Sequence, residues 1–141
     1  MPSKIKTLLI TNYKKDNQFS MLKFGELMMS NRDKNESIKL HEIFPNDILN
    51  KWSFSSKISK WTAYIDKYLI FPNRLAKYLK SKNQNFDLVH IIDHSNSPYI
   101  KTVKLESRAK CLVTCHDLIA IRSSLGEFPS APKTSLTGKK L

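Results

Sequence analysis

Hydrophobic positions occur along the chain in four short runs, and each run predicts a β-strand. The first covers residues 5–11, and the second, ESIKLHEIF, alternates, with Ile38, Leu40 and Ile43 on its buried side. The third covers residues 86–92 and is nearly continuous, and the fourth is KCLVTCHDLIAI. Continuous apolar runs of this length are typical of strands that are covered on both faces of a parallel sheet.

Helical periodicity separates these runs. In SMLKFGELMMSN, Ser20 is suited to the N-cap, and four apolar side chains form one face at helical spacing: Met21, Phe24, Leu27 and Met28. SPYIKTVKLESR predicts a further helix with Pro98 in its first turn. Residues 122–140 are rich in Ser, Pro and Gly, which predicts a loop.

The longest helical stretch covers residues 51–82, and Pro72 is expected to break it. Its apolar stripe predicts a face packed on the sheet: Ile58, Trp61, Ile65, Tyr68 and Leu69, continued by Leu75, Tyr78 and Leu79. The alternative is an interfacial helix on anionic lipid, because aromatic residues lie among lysines there. Those aromatic residues are Trp52, Trp61, Tyr64 and Tyr68.

Alternation of strands and helices predicts an α/β fold. We expect a Rossmann-like parallel sheet with helices on both faces, in one domain over residues 1–141. In such sheets ligands bind outside the carboxyl ends of the strands. The polar residues that follow each strand are therefore the first candidates for a functional site.

Three strand ends carry such polar groups, so we expect them to share one rim. His116 and Asp117 follow the fourth run and are the candidate catalytic pair. The candidate substrate-binding residues follow the first and third runs: Asn12, Gln18, Ser20, Asp93 and His94. By contrast, His90 lies mid-strand and predicts a satisfied core histidine, and Asp87 predicts a cap or turn residue.

Basic residues outnumber acidic ones by 24 to 12, which gives a net charge of +12 and indicates an anionic partner. Residues 51–82 contain eight of the basic residues and one acid, Asp66. Nucleic acid is disfavoured as that partner, because the basic residues are scattered over helices without a recognised nucleic-acid module. An anionic membrane surface and phosphorylated small molecules stay open.

The two cysteines, Cys111 and Cys115, are too far apart on a strand for a disulfide and lack zinc-ligand partners, so we expect buried free thiols. Free thiols fit a reducing compartment. No run approaches the roughly 20 apolar residues of a membrane span, and the N-terminus lacks a signal peptide pattern. These features predict a cytoplasmic location, with peripheral attachment to the inner face of the membrane as an option.

FDLVHIIDHSNSPYI followed by CLVTCHDLIAI resembles the N-terminal half of group 1 glycosyltransferases, also called family 4, which have a GT-B architecture of two Rossmann-like domains. QFSMLKFGELM is similar to their first helix, and the likeness extends over residues 5–141. The resemblance implies a retaining, metal-independent transfer of a sugar from a nucleotide-sugar donor to a glycan or lipid-linked acceptor. It also implies that this domain mostly holds the acceptor.

The resemblance assigns roles to the candidate residues. His116, in TCHD, matches a family histidine that positions or stabilises the sugar as charge develops. Asp93 and His94 match the end that lines the acceptor side, and Gln18 and Ser20 would lie near the donor phosphates.

Two features depart from the family pattern. The first loop, NYKKDNQFS, lacks the usual glycines, although Lys14 and Lys15 could compensate electrostatically. The second, donor-binding domain with its paired glutamates does not follow residue 141, so we expect a fragment that is inactive alone.

Two other interpretations compete with a glycosyltransferase domain. One is a non-enzymatic basic binding module of doubly wound α/β fold that contacts nucleic acid or an anionic surface. The other is a flavodoxin-like domain, which would need a complete phosphate-binding loop. The chain contains neither a G-x-G-x-x-G nor a P-loop motif.

Overall fold

Four strands form one sheet in which every neighbouring pair is parallel. They are β1 (Ile5–Ile10), β2 (Ile38–Ile43), β3 (Leu88–Ile91) and β4 (Lys110–Val113), and their order is β2-β1-β3-β4. The computed structural model describes residues 4–16, 18–49, 56–81 and 85–127. The predicted α/β class with a Rossmann-like parallel sheet is confirmed.

In the described residues, five α-helices connect or follow the strands. They are α1 (Phe19–Ser30), α2 (Ser56–Ile65), α3 (Phe71–Lys80), α4 (Tyr99–Glu106) and α5 (Ile119–Ser124). A π-helical turn, Asp66–Ile70, joins α2 to α3 without a break in the helix. Pro72 lies in the first turn of α3 and does not end the helix, so the predicted break at this residue is wrong.

The main core lies between one face of the sheet and helices α3 and α4. Side chains of the two central strands pack there against both helices: Leu8, Ile10, Val89 and Ile91 against Phe71, Leu75, Tyr99 and Val103. These side chains are buried, and the continuous apolar runs of the two strands supply them. Their burial provides most of the hydrophobic stabilisation of the sheet.

Helix α1 lies on the opposite face of the sheet, near the carboxyl ends of β1 and β3. Gly25 is its buried residue: a Cβ placed there would lie 3.1 Å from Ile92 Cδ1 and 3.2 Å from Thr11 Cγ2. The predicted apolar face of α1 is only half-buried, and Leu27 is exposed. The missing side chain at Gly25, rather than a row of large apolar residues, allows this close approach.

Several predicted details are wrong. Ser20 does not cap α1, because the helix begins at Phe19 with Gln18 at the N-cap position. Trp61 is 74% exposed and Leu69 is 62% exposed, so the stripe of residues 51–82 does not pack wholly on the sheet. The π-helical turn changes the helical phase, so residues before it do not share a face with Leu75 and Leu79, which follow it and are buried. Residues 51–55 and 82 lie outside the described residues.

The fourth strand is shorter than predicted, because β4 ends at Val113 and the chain is irregular over residues 114–118. Helix α5 follows where the apolar run predicted strand and the Ser-rich segment predicted loop. Cys115 is therefore beyond the strand and exposed, and Cys111 is half-buried, so the expectation of two buried thiols is wrong. Residues 128–141 of the predicted loop lie outside the described residues.

Candidate functional site

The order of the strands places a topological switch point between β1 and β3. From β1 the chain crosses to β2 on one side, whereas β3 and β4 lie on the other side. In doubly wound sheets the crevice for a ligand opens at this point, at the carboxyl ends of the strands. Here Thr11 and Asn12 follow β1, and Ile92 and Asp93 follow β3.

A buried hydrogen-bond network fills the switch point. Asn12 Nδ2 donates to Gln18 Oε1 at 2.5 Å and to Asp93 Oδ2 at 2.6 Å. Asn96 Nδ2 donates to Asn12 Oδ1 at 3.0 Å. The Asn12 amide thereby uses both of its donor hydrogens, and it holds the loop after β1 against the loop after β3. We call Asn12, Gln18, Asp93, Ser95 and Asn96 the switch-point network.

Asp93 is the charged centre of this network. Besides the bond from Asn12, its carboxylate accepts from Ser95 Oγ at 2.8 Å and from Ser95 N at 3.1 Å. Burial opposes ionisation of Asp93, but the bonds from Asn12 and Ser95 and the proximity of His94 outweigh it and hold its pKa below the usual value. Asp93 is therefore a carboxylate at neutral pH.

His94 lies at the outer border of the network. Its Nδ1 is 3.3 Å from Asp93 Oδ1, in a geometry that is not a hydrogen bond, and the two form an ion pair only when the imidazole is protonated. Asn96 Oδ1 is also buried without a hydrogen-bond partner among the described residues. The predicted pair Asp93–His94 is thus in contact, and an acceptor oxygen next to it is unsatisfied.

His116 lies on the same rim, one strand further along the sheet. Its Nε2 is 2.8 Å from the carbonyl oxygen of Ile92, the residue before Asp93. Because a carbonyl oxygen only accepts, Nε2 carries the proton and Nδ1 is the ring's acceptor when the imidazole is neutral. The edge of the ring also packs on Phe24 of α1, with centroids 4.9 Å apart. His116 is exposed and oriented by two contacts.

A second histidine, His90, lies below His116 in the sheet. It is buried, and its Nε2 is 2.7 Å from Thr114 Oγ1, so the prediction of a satisfied core histidine is confirmed. Burial, and secondly the charge of His116, lowers the pKa of His90. His90 is thus held in its neutral form at neutral pH.

Two predicted site residues lie outside this arrangement. Asp117 is exposed, and its Oδ1 accepts from Ile119 N at 3.0 Å, which fixes the start of α5. Ser20 is exposed on the first turn of α1. Asp87, predicted as a cap or turn residue, accepts from Lys6 N at 2.7 Å beside the start of β3.

A pocket of about 580 Å³ opens beside the rim, where the loop after β1 faces α2 and the π-helical turn. Its lining is basic and aromatic: Tyr13, Lys14, Lys15, Asp16, Lys60, Tyr64, Lys67 and Tyr68, with Ser59 and Ala63. Four lysines thus face one carboxylate in this lining. We call this cavity the lysine–tyrosine pocket.

Sequence reasoning missed most of this pocket. The loop lysines Lys14 and Lys15 were identified, but the helical residues Lys67 and Tyr68 were assigned to a surface or to the core. The signal that could have found them is the adjacency of Asp66 and Lys67 to the aromatic pair Tyr64 and Tyr68, four residues apart on a helix that also carries many lysines. The π-helical turn that orients them has no comparable signature in sequence.

The described part of the chain contains no cluster of three or more His, Cys, Asp or Glu side chains that could bind a metal ion. Within the same residues, every helix is too short or too polar to cross a membrane. The candidate site consists of hydrogen-bonding and charged groups: the switch-point network, the His116 imidazole and the lysine–tyrosine pocket.

The chain was compared with protein-family models, with curated proteins and with solved structures, and none of the three comparisons gave a match.

Proposed function

We propose that the chain is the acceptor-side domain of a retaining glycosyltransferase. It would hold a glycan or lipid-linked acceptor while a sugar is transferred from a nucleotide-sugar donor held mainly by a second domain. The observation that carries the proposal is the convergence of Asn12, Asp93, His94 and His116 on one rim of a parallel sheet, at its switch point. This is the edge at which doubly wound sheets bind ligands.

Each group has chemistry that suits an acceptor. The acceptor hydroxyls of a sugar need hydrogen-bond partners, and the half-buried His94 imidazole borders the crevice for that purpose. The buried Asp93 carboxylate lies directly behind it. The His116 ring is oriented by contacts with Ile92 and Phe24 before a ligand binds. Binding therefore costs little conformational entropy at this side chain. On this proposal His116 contacts the transferred sugar and stabilises charge as it develops.

The proposal is tested by NMR of this chain titrated with acceptors and donors. Oligosaccharides and a soluble lipid-linked saccharide should shift backbone signals of residues 11–13, 93–96 and 116. A nucleotide sugar should bind only weakly, because the donor mostly contacts another domain. His94→Ala should abolish the saccharide shifts at the rim while the remaining spectrum is unchanged, because His94 borders the acceptor crevice. Tight binding of a nucleotide sugar, or saccharide shifts confined to other surfaces, would contradict the proposal.

A non-enzymatic binding module is the second candidate. The lysine–tyrosine pocket favours it, because a pocket that binds an anion needs no catalytic group. A module of this kind would bind its anionic partner with an affinity that is unchanged in His94→Ala. That affinity would fall steeply as salt is raised. The same titrations, repeated in low and high salt, distinguish the two candidates.

A further inference from the structure

We infer that the lysine–tyrosine pocket binds a phosphate monoester carried on a sugar ring. Its volume of about 580 Å³ lies within the range of roughly 300–1,000 Å³ that is usual for small-molecule sites. The inference that this sugar phosphate is the acceptor of the transfer rests on the proposed function. The inference that the pocket binds it does not. The observations that support it are the charge of the pocket, the arrangement of its tyrosines and the helical irregularity that builds it.

The cations of the pocket are held in place before any ligand arrives. Lys67 forms an ion pair with Asp16, and its side chain is only 13% exposed. Lys15 pairs with Asp47, and the ammonium group of Lys14 lies 4.8 Å from the centre of the Phe44 ring. Side chains that are already ordered lose less entropy on binding. When Asp47 is counted with Asp16, the four lysines of the lining still exceed the carboxylates by two positive charges, which suits a dianion.

The aromatic wall indicates what the phosphate is attached to. The rings of Tyr64 and Tyr68 are stacked, with centroids 5.6 Å apart and planes 30° from parallel. Tyr64 is 55% exposed, so a ring face is available to a ligand. Large aromatic faces pack on the C–H face of a sugar while their hydroxyls offer hydrogen bonds. A bare phosphate ion would leave this wall unused.

The pocket depends on the π-helical turn Asp66–Ile70, which supplies Lys67 and Tyr68. Such turns are rare and occur frequently at functional sites. This one is fixed from both sides. The Asp66 carboxylate, which is buried, accepts from the backbone N–H groups of Ile48 and Leu49. The Tyr99 hydroxyl donates to the Lys67 carbonyl oxygen at 3.1 Å.

The pocket lies next to the rim along the chain, because Tyr13 lines the pocket and follows Asn12 directly. A sugar whose phosphate lies among the lysines would extend its ring along Tyr64 and its remaining hydroxyls toward Asn12 and Asp93. The phosphate would thus set the orientation of the acceptor relative to the switch-point network.

The test is calorimetric titration of the intact chain with glucose phosphate (the monoester on the primary hydroxyl), with glucose, and with dihexanoyl phosphatidic acid. Lys67→Gln and Lys60→Gln should each weaken binding of glucose phosphate on the order of tenfold, the effect of losing one charged contact. Lys77→Gln is the matched control: it removes the same charge from the exposed surface of α3. Asp16→Asn should strengthen binding, because the loss of a negative charge beside the phosphate outweighs the lost ordering of Lys67.

Equal affinity in Lys60→Gln and Lys77→Gln would overturn the inference even if Lys67→Gln were unstable, because Lys60 is exposed. Binding of glucose as tight as that of glucose phosphate would exclude the phosphate, and preference for phosphatidic acid would exclude the sugar ring. Glucose phosphate could bind in a lysine-dependent way without NMR shifts at residues 93–96 and 116. That result would support the sugar-phosphate site and contradict the glycosyltransferase proposal.

Discussion

At the scale of single residues, the site depends on hydrogen bonds between buried polar side chains at the carboxyl ends of the strands. Asn12 and Asp93 come from loops 81 residues apart, yet each provides what the other needs: an amide with two donors and a carboxylate that only accepts. Burying either without its partner would cost about 1–3 kcal/mol. The switch-point network therefore fixes the structure of the rim.

Asp93→Asn is expected to lower the free energy of unfolding at pH 7 by about 2 kcal/mol, because the Asn12 and Ser95 donors lose a charged acceptor. The folded-state pKa of Asp93 is depressed. Its contribution is thus present above the unfolded value of about 3.9 and is lost as pH falls through the folded value. Urea unfolding at pH 7 and below about pH 4 measures both effects. Asp33→Asn, at an exposed carboxylate, is the control; equal losses in the two variants would contradict the role of Asp93.

His90 should titrate below its unperturbed pKa of about 6.5, because burial and the charge of His116 both disfavour its protonated form. As pH falls below about 6.5 the unfolded chain takes up this proton first, so His90 reduces stability on the acid side. Imidazole NMR titration measures the value directly. In His116→Gln the pKa of His90 should rise, since one cause of the shift is removed. An unchanged pKa in that variant would show that the two rings are not coupled.

At the scale of elements, the strands were predictable and the helix phases were not. Residues 5–10 and 88–91 could be recognised as strands because continuous apolar runs are typical of strands buried on both faces of a parallel sheet. Parallel pairing then places their carboxyl ends at the same edge of the sheet. The bonds joining Asn12 to Asp93 could not be predicted, because no local pattern specifies which polar loop residues meet. Exposure of Trp61 was missed for another reason: a π-helical turn changes which residues share a face, and propensity does not reveal it.

Gly25→Ala is expected to destabilise the protein by about 1–3 kcal/mol, because the new methyl group would press on Ile92 and Thr11, both of which are buried. Thr11 cannot easily rotate, since its hydroxyl donates to Glu42. The gain in helix propensity, about 1 kcal/mol, offsets part of this. Ile92→Val removes the crowded Cδ1, so the double variant should be more stable than the two single effects predict. Chemical denaturation in a double-mutant cycle measures this, and simple additivity would argue against the contact.

Tyr99→Phe tests the support of the π-helical turn. The hydroxyl is buried and bonded to the Lys67 carbonyl, so its removal should reduce the free energy of unfolding by about 1 kcal/mol. It should also weaken binding of glucose phosphate, because Lys67 loses a fixed backbone. Tyr64→Phe removes a hydroxyl from an exposed ring and should leave the stability unchanged. Equal stability in all three proteins would show that the turn does not need this bond.

At the scale of the whole molecule, the excess of 12 positive charges combines with an exposed aromatic surface on α2. Trp61 and Tyr64 are one helical turn apart and both face solvent, and Lys60 is beside them. This combination is typical of helices that lie in the headgroup region of anionic membranes. If the acceptor is lipid-linked, as proposed, this surface would place the lysine–tyrosine pocket next to the membrane.

In a Trp52→Phe variant, Trp61 is the one remaining tryptophan, and its fluorescence should shift to the blue when vesicles containing phosphatidylserine are added. The shift should weaken as salt is raised, because the attraction of lysines to the lipid is screened. Vesicles of phosphatidylcholine alone are the control for charge, and Trp61→Phe, which keeps Trp52, is the control for position. A Trp61 spectrum unaffected by anionic vesicles would exclude contact between α2 and the membrane.

The π-helical turn has one further consequence, for how the long helix tolerates changes in length. Each residue of an α-helix rotates the chain by about 100° about the helix axis. A π-helical turn contains one more residue than the corresponding α-helical turn. Deleting a single residue within 66–70 would let the segment regularise into plain α-helix, and the α2 half would then rotate relative to α3. Such a shortened chain could keep its sheet and its core while Tyr64 and Lys60 turned away from the loop after β1. The pocket therefore depends on the number of residues in this helix as well as on their identity.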